Sequence, residues 1–233
     1  TMPDITIQAA DGGSFSAYLA MPAASNGSGI VAIQEIFGVN RVMRDICDAQ
    51  AAQGYIAICP DLFWRQEPDI QLNTYDEAEW ARAFELFGGF DQDKAVEDVE
   101  ATIAALRKTV GFSGKAGAVG YCLGGRMAYL TACRTDIDAA VGYYGVGIDG
   151  LLDEAKNIAA PVVLHIAEED GFVDKAAQAK MHTGLDANPK VTLYDYAGAD
   201  HAFAREGGDH YDAAAAKLAN GRTAEFFKAH LLG

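Results

Sequence analysis

The chain has 233 residues, of which half are hydrophobic and 22% charged, enough to bury about 70% of the unfolded surface in one core. That composition excludes a disordered chain, and apolar runs such as Ile30–Ile33 and Val162–Leu164 are far too short to span a bilayer. With 18 Lys and Arg against 33 Asp and Glu, the net charge of −15 opposes binding to nucleic acid or to an anionic membrane surface. No leader-like segment opens the chain, and Thr1 ahead of Met2 reads as an added residue. The expectation is a single domain over residues 1–233, cytoplasmic and monomeric.

In chain order, Asp4–Gln8 and Ser14–Ala20 flank Asp11-Gly12-Gly13 and predict an opening hairpin. Gly29–Gln34 is a continuous apolar run, as in a strand buried on both faces. Asn40–Gln53 carries Val42, Met43, Ile46, Ala49 and Ala52 at helical spacing, with Gly54 as the stop, and Tyr55–Cys59 is the next strand. Helices are predicted over Asp76–Phe87 and Asp91–Val110, the second with Val96, Val99, Ile103 and Leu106 on one face. Then come a strand at Lys115–Tyr121, a helix at Leu123–Thr131 and strands at Ile137–Tyr144 and Pro161–Ala167. A helix at Asp174–Asn188, a strand at Lys190–Tyr196 and a helix at Tyr211–Leu231 complete the chain, with Gly145–Ala160 unassigned. This alternation implies an α/β fold, a mostly parallel central sheet with helices on both faces and its chemistry at the carboxyl ends of the strands.

Cys47, Cys59 and Cys133 read as small buried hydrophobes, no Cys or His spacing suggests a zinc site, and neither G-x-G-x-x-G nor a Walker sequence follows the first parallel strand, so neither metal nor cofactor is expected. Cys122 stands apart. Gly120-Tyr121-Cys122-Leu123-Gly124-Gly125 is a G-x-C-x-G strand-turn-helix sequence, a nucleophile elbow with cysteine in the serine place. There the sulfur meets the N-terminus of a helix, which favours a thiolate, and the N–H of Leu123 points where an oxyanion would form. Such a nucleophile needs an acid and then a histidine on later loops. Glu168-Glu169-Asp170 follows one strand directly, and His201 follows the last strand in a Gly-containing loop. His165 lies inside a strand, where a hydrogen-bonded core histidine is expected, and His182, His210 and His230 lie on or beside helices and read as exposed. Order alone gives Cys122, an acid near Asp170, and His201 as the base.

Six segments together resemble the dienelactone hydrolase family of α/β-hydrolases: Gln34 to Asn40, Cys59 to Leu62, Gly120 to Gly125, Val141 to Gly147, Glu169 to Val173, and His201 to Arg205. The resemblance implies an α/β-hydrolase fold and a triad of Cys122, His201 and Asp170. It implies that Glu35 pairs with the resting thiol and takes its proton when substrate displaces it. The N–H groups of Ile36 and Leu123 match the family's oxyanion hole. Its substrate is a small carboxylate-bearing enol lactone held by arginines. Arg205 matches one of these, while the other position falls on Trp80, with Arg82 two residues beyond as a substitute. Tyr143 matches a pocket wall, Phe37 joins the substrate-binding set, and Phe84 and Phe87 stand where the archetype has other aromatics. The departure at Trp80 keeps a second reading open, the same triad acting on another small ester, lactone or thioester. A non-catalytic ligand binder or thiol sensor on this fold is the reading from another class.

Overall fold

A computed structural model describes residues 4–233, so Thr1 lies outside the described residues. The chain forms two compact units, the first running to Gly117 and the second from Ala118 to Leu231.

In the first unit, β1 (Ile5–Gln8) and β2 (Ser14–Ala20) form the expected antiparallel hairpin, with Ile5 opposite Ala17. Its turn is closed by Ala9 N–H on the Gly13 carbonyl at 2.8 Å, and Gly12 takes a φ of +97° that a side chain would resist. β2 also pairs antiparallel with β4 (Ile56–Pro60), which runs parallel to β3 (Gly29–Ile33). Every residue of β3 and β4 is buried, which is why both read as unbroken apolar runs. The helix α1 (Arg41–Ala52) starts where the Asn40 side chain accepts the Met43 N–H. Asp76 and Asp91 cap α2 (Glu77–Gly88) and α3 (Gln92–Arg107) in the same way. Val96, Val99, Ile103 and Leu106 of α3 are all buried, as their spacing requires.

That helix ends at Arg107, three residues short of the expected Val110. Lys108 and Thr109 bond to the carbonyls three residues back, Gly111 takes a φ of +91°, and Val110 is left exposed. Asp98, on the same buried face, is fully enclosed and held by Arg65 at 2.8 and 3.1 Å and by the Trp64 indole at 2.8 Å. Cys47 and Cys59 are buried and in mutual hydrogen-bonding contact, in keeping with their reading as core residues.

β5 (Ala116–Tyr121) carries the chain into the second unit. There β6 (Ala139–Tyr143), β7 (Val162–Ala167) and β8 (Val191–Tyr196) are parallel, with Ala140 opposite Val162 and Val162 opposite Val191. The helices are α4 (Leu123–Arg134), α5 (Lys175–Leu185) and α6 (Ala213–Leu231). β6 stops at Tyr143 because Tyr144 has a φ of +38° and leaves the strand path. The unassigned Gly145–Ala160 connection contains two 3-10 turns, Ile148–Gly150 and Leu152–Asn157, too short to leave a periodic signal. Among the described residues no helix is long and apolar enough to cross a membrane.

Candidate active site

The site in the second unit starts from the turn between β5 and α4. A Cβ added to Gly120 would sit 1.8 Å from the Gly124 carbonyl oxygen, so strand and helix can approach this closely only over glycine. The turn forces Cys122 to φ 58° and ψ −116°, a sparsely populated conformation that costs about 1–3 kcal/mol. Its N–H bonds to the Tyr143 carbonyl at 3.0 Å, and its own carbonyl accepts the Gly125 N–H at 3.0 Å. The thiol therefore stands at the N-terminus of α4, fixed by its backbone rather than by its side chain.

The loops after β7 and β8 supply the partners. Asp170 and His201 are both buried, with Nδ1 of the imidazole 2.9 Å and 3.1 Å from the two carboxylate oxygens. The Phe172 N–H donates to Asp170 Oδ1 at 2.8 Å, so the acid is oriented from its own loop. With Nδ1 on Asp170, Nε2 is the nitrogen left for Cys122, which hydrogen-bonds the ring. Burial works against a charge on His201, but the Cys122 sulfur and the Asp170 carboxylate outweigh it and push its pKa up to about 10. The neighbouring acids are differently placed: Glu168 is half-buried, and Glu169 is exposed and pairs with Lys175 at 3.3 Å. Leu123 and Arg205 are buried in the same unit.

Two contacts escaped the sequence reading. The Tyr144 ring lies 5.2 Å from His201, and Phe172 meets the same imidazole edge-on at 4.8 Å while half exposed. Tyr143 faces elsewhere. It is fully buried, its hydroxyl is 2.6 Å from Thr223 Oγ1 and donates to Asn220 at 3.0 Å, and its ring stacks on Tyr121. The signal that could have separated the neighbours is the strand end itself, where a turn reverses which side chain faces the loops.

Of the other histidines, His165 is the core residue expected: Nδ1 is 2.8 Å from Tyr196 Oη and Nε2 is 2.9 Å from Thr223 Oγ1. Burial, with the Arg222 cation nearby, pushes its pKa down to about 3. His210 is exposed and His230 half-buried. His182 is not simply exposed, because Asp186 one turn on and Asp195 of β8 each hold a ring nitrogen at 3.0 Å.

In the first unit Glu35, Ile36 and Phe37 are buried in the segment after β3. The Phe37 ring meets Trp80 edge-on at 4.9 Å, and the Trp80 indole donates to the Thr74 carbonyl at 2.7 Å. Arg82 is paired with Glu67 and, at 2.6 Å, with Glu85. Among the described residues no group of three or more His, Cys, Asp or Glu side chains is arranged to hold a metal.

Parallel strands, a strained elbow and partner loops after later strands define the α/β-hydrolase class of enzyme. The dienelactone hydrolase family profile matches residues 15–231. An Azospirillum brasilense relative is 52% identical over 232 residues, covering 99% of this chain and 100% of its own. A Pseudomonas putida carboxymethylenebutenolidase is 41% identical over 222 residues, covering 95% of this chain and 94% of its own. Among solved structures, a Klebsiella pneumoniae protein of the dienelactone hydrolase type superimposes with a TM-score of 0.84 at 28% identity, over 97% of both chains. The chain belongs to the dienelactone hydrolase family and is a hydrolase with that family's α/β fold.

Proposed function

We propose that the chain opens a small carboxylate-bearing enol lactone, converting a dienelactone to maleylacetate through an acyl-Cys122 intermediate. The observation that carries this is the contact of an elbow cysteine with a buried imidazole whose far nitrogen is fixed by Asp170. The kinship with the Pseudomonas putida carboxymethylenebutenolidase supplies the substrate class.

The raised pKa of His201 belongs to the state in which the sulfur is negative, so the imidazolium is sustained once the thiolate has formed. Glu35, in the role the resemblance gives it, is the proposed group that takes the thiol proton when substrate arrives. The thiolate then attacks the lactone carbonyl, and the N–H groups of Leu123 and Ile36 receive the oxyanion. The ring C–O bond breaks, leaving a thioester and an enolate, and the His201 imidazolium protonates the enolate. Once sulfur is acylated, the negative charge that sustained the imidazolium is gone and burial favours the neutral ring. Neutral His201 then takes a proton from water as it adds to the thioester, and the thiolate leaves with the imidazolium restored.

Arg205 is the proposed anchor for the substrate carboxylate. Arg82 would join it only by giving up the pairs with Glu67 and Glu85. Trp80 and Phe37 complete the proposed substrate-binding set, while Tyr143, turned to Thr223 and Asn220, is left out of it. No cofactor is invoked, and the active form proposed is a cytoplasmic monomer, four free cysteines supporting a reducing compartment. Trp80 at an expected arginine position favours a second reading, the same chemistry on a less charged ester or thioester.

The test follows the ultraviolet absorbance of cis- and trans-dienelactone with wild type and Cys122→Ala. Rapid loss with the first and none with the second is expected. No loss with folded wild type would replace the lactone by the second reading's substrates.

A further inference from the structure

His201 and Asp170 sit on separate loops, so their 2.9 Å contact depends on what holds the loops together. One side chain does so at the point of contact. Asp200 Oδ1 accepts the His201 N–H at 2.6 Å and the Gly171 N–H at 3.2 Å, and Gly171 directly follows Asp170. Its other oxygen lies 3.4 Å from Nδ1 of His210, which also donates to the His201 carbonyl at 3.2 Å. Behind the acid loop, the Gln178 amide donates to the carbonyls of Ala167, Glu168 and Val173 and fixes that loop to α5. Gln178 thus shapes one loop, whereas Asp200 spans both.

We infer that Asp200 is a positioning residue for the triad, its Oδ1 setting the separation of Asp170 and His201 by bridging the two loops. The inference rests on the triad reading above and adds a fourth side chain to it. Two N–H donors converge on one oxygen, so the requirement is for an acceptor with that reach rather than for charge at the substrate. Backbone bonds from the Glu169 N–H to the Ala199 carbonyl at 2.9 Å and from the Glu168 N–H to the Tyr196 carbonyl at 3.2 Å keep the loops joined at their bases. Loss of the Asp200 bridge frees the Asp170–Gly171 end to drift from His201, and misplacement of a catalytic group by about 1 Å costs on the order of 100-fold in rate.

The first arm of the test needs no substrate. Alkylation of Cys122 by iodoacetamide, followed from pH 5 to 10 per titrated thiol, reports the coupling of sulfur to imidazole directly. His201→Ala is expected to change the pH profile; if it alkylates as wild type does, the triad reading fails and the inference with it. With that control in place, Asp200→Ala is expected to shift the profile toward that of His201→Ala. Its kcat on the turnover substrate should fall about 10–100-fold with KM within twofold. Asp200→Asn, which keeps the acceptor oxygen, should restore most of the loss. A wild-type profile for Asp200→Ala overturns the inference, as does an Asn variant no better than Ala. Asp200→Ser, one bond too short to span both loops, is expected to follow Ala; it decides the matter by the same profile should the alanine variant not fold.

Discussion

The second unit buries two histidines almost equally and shifts their pKa values in opposite directions. His165 and His201 are both almost fully enclosed, yet burial and a nearby cation push the first down to about 3, while the second is pushed up to about 10. Desolvation disfavours the charge at both, so it is not what separates them. The neighbours are. His165 meets the hydroxyls of Tyr196 and Thr223, with Arg222 nearby, whereas His201 meets a carboxylate and a thiol. One unit thus uses a histidine as a neutral strut inside a strand and another as a cation on a loop.

The sharpest way to break this contrast is to remove the loop histidine. His201→Ala and Cys122→Ala are each expected to lower kcat/KM by about 10⁴-fold or more, with the thermal transition nearly unmoved for Cys122→Ala. Asp170→Asn should follow with a loss of about 10²–10⁴-fold, since the ring would lose the anion that fixes its tautomer. The strut should show the reverse. His165→Phe leaves Tyr196 and Thr223 short of a partner and is expected to cost about 2–4 kcal/mol in urea melts. Its kcat per folded molecule should stay within severalfold of wild type; a 100-fold loss would erase the distinction.

Acid titration gives a smaller effect with opposite signs for the two rings. His165 is lowered in the folded state, so the unfolded chain binds the proton first. Its contribution to stability is present above about pH 6.5 and falls as pH drops toward about 3. His201 is raised, so its contribution is full below about pH 6.5 and fades as pH climbs toward 10. Urea midpoints across both windows, with His165→Phe as the control on the acid side, test both signs. The smallest effect is expected from Arg82→Met, less than a twofold rise in KM, if carboxylate binding rests on Arg205; a tenfold rise would return Arg82 to the substrate.

Features fixed within a few residues were legible from the sequence. The G-x-C-x-G elbow, the helix starts at Asn40, Asp76 and Asp91 and the unbroken apolar runs of β3 and β4 each follow from local sterics or patterning. Histidine order pointed to His201 because loops after later strands are where a fold of this kind gathers its partners. Among the acids of Glu168-Glu169-Asp170, local pattern could not choose, since burial of Asp170 depends on a loop thirty-odd residues away. Tyr144 and Asp200 escaped for the same reason. A φ of +38° aims the first, and a partner on another loop defines the second. Asp98 carried a local hint, a charge on the apolar face of α3, but its partners Trp64 and Arg65 lie more than thirty residues away.

The φ of 58° at Cys122 bears on how such a protein can age and be improved. Glycine would occupy that conformation with less strain, so Cys122→Gly should yield a sturdier and inert protein. A screen that rewards only expression or heat resistance would drift toward losing the reactive sulfur. Selection for turnover is therefore needed to keep the least comfortable residue of the elbow in place.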